Sequence, residues 1–151
     1  MMKIYYFDSS ALVKRYHSEK GTEIVDKIIY ELGKGDEAVI SYFAILEIVS
    51  ALRRKLKNKE ITKKVFDMAI ATFLSEVTEY FSVRPIDEQI LSIATNLVIE
   101  HGLKAADSLH LATAKEIANF TSKSVVFIAS DKELLDTATL EKIETLDPEK
   151  G

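Results

Sequence analysis

Asp8 closes the apolar run KIYYF, and Asp131 follows VVFIA with only Ser130 between. In an open α/β sheet, ligands sit beyond the carboxyl ends of the strands, so two acids are expected at one rim. Each also suits the N-cap of the helix that follows, and either alone is read equally well that way. Asp107 fits a purely structural role less well. Leu103, Asp107, His110, Leu111, Ala114 and Ala118 recur at three- and four-residue spacing, which puts the carboxylate on a stripe of core-type side chains. Burying an unpaired carboxylate costs on the order of several kcal/mol, so it needs a cation or an array of donors. Helix N-terminal amides are one source, a bound ligand another. Glu47 gives the weakest signal, because its phase lies almost opposite the stripe Ile45, Ile48, Val49, Leu52 and Leu56. Periodicity alone makes it a solvated side chain, although Ala44 and Ala51 beside it would let another element approach.

If these acids converged they would repel one another and hold their protons more tightly, unless a cation neutralised them. Hard divalent ions that prefer oxygen ligands, Mg²⁺ or Mn²⁺, are the natural solution. One or two such ions activate water for in-line attack on a phosphodiester; a pair would sit about 3.5 to 4 Å apart. With no cysteine in the chain, thiolate chemistry, disulfides and Cys-ligated zinc are excluded. His110, one turn after Asp107, reads first as a structural or carboxylate-bonded histidine, and second as a ligand or proton carrier. His17 and His101 make no metal-spaced pair with it, and no Ser, His and acid set has the context of a nucleophilic triad.

The elements that must position these side chains follow from periodicity and breakers. KIYYF (3–7) reads as a strand with Ile4, Tyr6 and Asp8 on one side, and Ser9 or Ser10 can cap the helix carrying Ala11, Leu12, Val13 and Tyr16. A second helix carries Ile24, Val25, Ile28, Ile29 and Leu32 and ends at Gly33 and Gly35. Strand EAVI (37–40) precedes a long helix from Ser41 to about Asn58. Another helix covers about 62–80, with Val65, Ala69, Phe73, Val77 and Phe81 at four-residue spacing. FSVRPI (81–86) is extended because Pro85 removes a donor and restrains Arg84. Helices at about 88–100 and 105–119 then lead to VVFIA, which is apolar on both faces as a central parallel strand must be. A short helix after Asp131 and an edge strand near 143–146 complete the pattern. Alternating strands and helices, with two consecutive helices after the second strand, predict a three-layer α/β/α domain with a mostly parallel sheet.

The 151 residues suit one domain, and 47% hydrophobic with 29% charged residues is a composition that can bury a core. No run of apolar residues is long enough to span a membrane and MMKIYYF is no secretion signal, so a cytoplasmic, non-membrane protein is expected. The net charge of -4 does not favour a general polyanion binder. Its distribution is uneven: Arg53, Arg54, Lys55, Lys57, Lys59, Lys63 and Lys64 stand against only Glu60. That patch is either a solvated helix end or a phosphate-contacting rim.

Four segments in order, FDSSALVKRY, SYFAILEIVSALRR, LKAADSLHLATA and VFIASDKELLDTA, resemble the PIN-domain ribonucleases, especially the small VapC-like toxins of toxin-antitoxin modules. The resemblance spans nearly the whole chain and implies a single PIN-like nuclease domain over 1–151. It maps the family's acids onto Asp8, Glu47, Asp107 and Asp131, so that Glu47 joins the site by family position rather than by helical phase. It further implies Mg²⁺ or Mn²⁺ as cofactor, RNA phosphodiester hydrolysis, a homodimer, and a small cognate antitoxin as partner. Ser10 matches the frequent hydroxyl residue after the first acid. Where the family often has a hydroxyl two residues before the last acid this chain has Ala129, with Ser130 adjacent to Asp131 instead. His110 is retained as a supporting residue, and Arg15, Arg53 and Arg54 become the candidates for contacting the RNA backbone. The alternatives are a noncatalytic RNA- or protein-binding PIN-like module and a phosphatase of the haloacid-dehalogenase type. The latter wants a second acid where this chain has Ser10.

Overall fold

Residues 2–151 are described by a computed structural model. Five strands, β1 (Lys3–Phe7), β2 (Glu37–Ser41), β3 (Phe81–Arg84), β4 (Ser124–Ile128) and β5 (Glu144–Leu146), form one sheet in the order β3-β2-β1-β4-β5. Every neighbouring pair is parallel. The helices are α1 (Ser9–Leu12), which tightens into a 3₁₀ turn through Arg15, α2 (Thr22–Tyr30), α3 (Tyr42–Lys57), α4 (Lys63–Glu79), α5 (Glu88–His101), α6 (Ala105–Phe120) and α7 (Lys132–Leu140).

The period-two alternation of the strands divides the interior into two cores. Ile4, Tyr6, Val39, Val125 and Phe127 face Ile90, Leu97, Leu111, Ile117 and Leu134 of α5, α6 and α7. Phe7, Ala38, Ile40, Val126 and Ile128 face Leu12, Val25, Ile48, Leu52 and Phe73 of α1 to α4. This is the expected three-layer α/β/α arrangement, and it explains why VVFI is apolar throughout: both of its faces are covered. A one-residue slip of β1 would exchange Tyr6 with Phe7 between the cores, so the register is strongly specified.

The topology also fixes where a site belongs. From β1 the chain moves outward through β2 to β3, then crosses to the other side of β1 to make β4 and β5. The order therefore reverses between β1 and β4, and the crevice beyond their carboxyl ends is the natural ligand address of such a sheet.

Two local expectations need correction. Asp8, rather than Ser9 or Ser10, caps α1, because its carboxylate accepts from the Ala11 amide at 3.0 Å and Ser9 becomes the first helical residue. Along α4 the four-residue stripe is buried only at Ala69 and Phe73; Val65 is 44% exposed at the first turn, and Phe81 lies beyond the helix as the first residue of β3.

Candidate active site at the carboxyl edge of the sheet

The β1–β4 ladder runs on one step past β1, with the Asp8 amide donating to the Ile128 carbonyl at 3.0 Å. This sets Asp8 into the reversal point with only 3% of its surface exposed. Its carboxylate accepts from the Ser10 hydroxyl at 2.8 and 3.0 Å. Burial pushes its pKa up to about 6; His110, the Ala11 amide and Ser10 oppose the rise, and the neighbouring charge of Asp107 adds to it. Ser10 also accepts from the Ser130 amide at 3.2 Å, fastening the turn after β1 to the turn after β4. That link brings Asp131 alongside. Asp131 is exposed and caps α7 through the Leu134 amide at 2.9 Å. The Ser130 hydroxyl is buried without a well-directed hydrogen bond and lies against the Glu149 carboxylate.

Asp107 stands half-buried in the first turn of α6. Burial raises its pKa first, and the charge of Asp131, with a smaller share from Glu47, raises it further against His110 and Lys104. Glu47, on α3, departs from what its phase implied: it is half-buried and its Oε1 receives both the Ser9 hydroxyl and His110 Nε2, each at 2.5 Å. Burial would raise its pKa, but the hydrogen bond and charge of His110, then Ser9, outweigh that and pull it below the ordinary carboxylate range. His110 is 2% exposed and its Nδ1 meets the Tyr6 hydroxyl at 2.7 Å. The carboxylate-bonded reading of this histidine is the one observed.

The fold thus brings all four sequence-selected acids into one electrostatic neighbourhood, with Ser10, Ser130 and His110 among them. They do not close into a ready ligand shell. Among the described residues, the trio of His, Asp or Glu whose ligand atoms lie within 4.8 Å of one another is Glu100, His101 and Glu141, which could coordinate a divalent cation. It is a different place: Glu141 and Asp131 flank opposite ends of the nine-residue α7, about 15 Å apart along its axis. Lys115 already pairs there with Glu141, supplying a cation of the chain's own.

Beside Asp131 a cleft of about 550 Å³ opens, of mixed charge: Arg54, Lys55 and Lys14 face Asp131, Glu19, Glu60 and Glu149, and Lys14 is paired with Glu19 and Glu149. Arg54 shares the face of α3 that carries Glu47, since seven residues are nearly two turns, and its guanidinium rests on Ser50 at 2.8 Å. Arg53 is exposed but points about 100° away from Arg54. Arg15 is corrected outright as an RNA contact. Its side chain is only 7% exposed and its donors are taken by Glu76 at 2.7 and 2.8 Å and by Asp26 at 2.8 Å, with Tyr30 covering the guanidinium. Ser9, read from sequence only as a possible helix cap, and Tyr6, read only as a strand residue, were not expected at the site. The alternation that aligned Tyr6 with Asp8 was the available signal for one; Ser9 had none beyond adjacency.

A parallel three-layer α/β/α sheet with acids gathered at its reversal point is consistent with the architecture of a PIN-like domain. The family model described as PIN domain matches residues 5–140, and the chain belongs to the PIN-domain family. No curated protein matches it in sequence. Among solved structures it is similar to PAE2754 from Pyrobaculum aerophilum, with 22% identity over 97% of this chain and 90% of that one and a TM-score of 0.65. VapBC-1 from nontypeable Haemophilus influenzae gives 15% identity, 96% and 98% coverage and a TM-score of 0.66. FitAcB from Neisseria gonorrhoeae gives 18%, 95% and 97%, and 0.65. At these identities the likeness is one of fold. Among the described residues no helix is long and apolar enough to cross a membrane.

Proposed function

We propose that this chain is a Mg²⁺- or Mn²⁺-dependent endoribonuclease and the toxin of a toxin-antitoxin pair. The observation that carries the reading is Asp8: a nearly buried carboxylate at the sheet's reversal point, its pKa raised to about 6, beside Asp107, which itself lies in the field of Asp131 and Glu47. Like charges assembled at some cost to the fold call for a cation, and an all-oxygen donor set suits a hard one. Among the described residues these acids form no trio with ligand atoms within 4.8 Å of one another, which suits a hydrated ion held partly through water, as Mg²⁺ ordinarily is, better than an all-protein cage. Asp8, Glu47, Asp107 and Asp131 would hold one or two ions. When bound, the cation supplies Lewis acidity to the phosphodiester and to the water that attacks it. The chain's own part is to orient: Ser10 holds Asp8, the Ser10–Ser130 link keeps Asp131 near it, and Arg54 and Lys55 draw the RNA backbone along the cleft. Arg53 serves at most as a peripheral contact.

The likeness to structures described as VapBC-1 and as a toxin-antitoxin complex from Klebsiella pneumoniae supports a small antitoxin as partner. We add a homodimer, a single domain over 1–151 and a cytoplasmic setting as parts of the same proposal. The open arrangement of the acids favours one other reading, an RNA-binding module without turnover. Incubating cellular RNA with wild-type and Asp8→Asn protein, with Mn²⁺ and with chelator, decides between them. New RNA ends that require both Asp8 and Mn²⁺ are expected; RNA bound but left intact by the wild type would sink the nuclease reading. Growth arrest on expression, relieved by co-expressing the neighbouring open reading frame, tests the toxin role.

A further inference from the structure

The acid chemistry proposed above leaves Tyr6, Ser9 and His110 without a task, yet they form one connected set around Glu47. We infer that Ser9, His110 and Tyr6 are positioning residues that pin one oxygen of Glu47 so that its other oxygen is presented to the divalent-cation site. The inference rests on that site and extends the reading of it.

Both short contacts to Glu47, from Ser9 Oγ and from His110 Nε2, fall on Oε1. Among the described residues Oε2 takes no hydrogen bond. Two donors on one oxygen remove the rotational freedom of a long side chain and fix the direction in which the free oxygen points. His110 can act as donor only if Nε2 carries a proton. Its surroundings supply that condition. The Tyr6 hydroxyl, wholly buried, lies 2.7 Å from Nδ1, and the hydroxyls of Thr113 and Ser41 lie beside it as further partners. However the phenol and Nδ1 share their hydrogen bond, Oε1 of a carboxylate only accepts, so the contact at Nε2 places a proton between that nitrogen and Glu47. Tyr6 cannot turn away, because its ring stacks on Phe127 at 5.6 Å and 5°. Ser9 reinforces the arrangement from a second side and also lies 3.3 Å from Nε2.

The consequence is a coupling between acids far apart in sequence. Asp8, with Tyr6 and Ser9 on either side of it, comes from the corner between β1 and α1; the same corner therefore aims Glu47 from α3. His110 has both nitrogens engaged and 2% exposure, so it is a holder of Glu47 rather than a proton carrier for the reaction.

The test reads cation binding without RNA. Ser9→Ala and Tyr6→Phe each remove one hydroxyl and keep the backbone or the stacked ring. Outer residues that orient a ligand alter metal affinity by about 10- to 100-fold, so each variant should weaken Mn²⁺ binding about tenfold while its unfolding midpoint in urea confirms a folded protein. In a Glu47→Gln background, Ser9→Ala should add nothing, which a purely structural role would not produce. A long-range ¹H–¹⁵N spectrum of the wild type should show the buried imidazole protonated on Nε2. Variants that bind Mn²⁺ as tightly as the wild type, a wild type that binds none, or a ring protonated only on Nδ1 would each overturn the inference. Weakened Mn²⁺ binding alongside a wild type that cuts no RNA would instead retire the nuclease reading and leave the positioning role intact.

Discussion

Asp8 and Arg15 stand at the two ends of the same short helical segment, and their surroundings are opposite in kind. Around Arg15, Glu76 and Asp26 supply the counter-charge and Tyr16 donates to Glu76 at 2.8 Å. Burial would raise the pKa of Glu76, but Arg15 reverses the shift and holds it below the ordinary range. Around Asp8, burial raises the pKa more than His110, one amide and a serine hydroxyl lower it, and Asp107 adds to the rise. Both groups sit at the margin of the interior. One is balanced within the chain and ties α1 to α2 and α4; the other is only partly offset, so that its burial outweighs its partners. The difference separates an ion pair that builds the fold from a cluster of acids whose charge the chain offsets only in part.

The strongest way to break this contrast is at the reaction itself. Asp107→Asn, which removes a charge but little volume, should reduce Mn²⁺-dependent cleavage of RNA to background in a gel assay; retained turnover would remove Asp107 from the site. Next in size is the balanced side. Arg15→Ala strands Glu76 and Asp26, and breaking a buried pair by deleting one partner costs about 3 to 5 kcal/mol, to be read from urea unfolding. Weaker RNA binding without loss of stability would restore Arg15 as an RNA contact.

Asp8→Asn should act in the opposite direction on stability. The unfolded carboxyl titrates near 3.8 and the folded one at about 6, so between these values the folded state holds more protons and stability falls as pH rises. Above both, the ionised group costs on the order of 3 kcal/mol, from a rise of about two pKa units at about 1.4 kcal/mol each. Metal-free Asp8→Asn should therefore be more stable than wild type by about that amount at pH 7.5, the gap closing below pH 4; a gap independent of pH would refute the burial argument. Saturating Mn²⁺ should narrow it, since the ion binds only the wild-type acid well. The smallest effect belongs to the cleft. Arg54→Ala should weaken RNA binding a few-fold and lower the slope of log affinity against log salt by about one, whereas Arg53→Ala should change the slope little.

Much of this organisation is legible in the sequence, for identifiable reasons. VVFIA is apolar at every position because both faces of β4 are covered, and strand-end acids such as Asp8 and Asp131 mark the rim of a parallel sheet. Asp107 is conspicuous on a stripe of core residues. Glu47 is not legible by phase, because its partners, Ser9 and His110, come from other elements and no periodicity of α3 encodes them. Arg15 misleads for the same reason: an arginine in a local run looks available until Glu76 and Asp26 arrive from α4 and α2.

By itself, then, the sequence determined the elements, their layer order and the acids at the strand ends, since these depend on local propensity and on a period that one segment carries alone. Only the tertiary structure decided which charges are neutralised and which are not. That is set by the approach of side chains distant along the chain, and an interaction that short in range has no trace in the spacing of either partner.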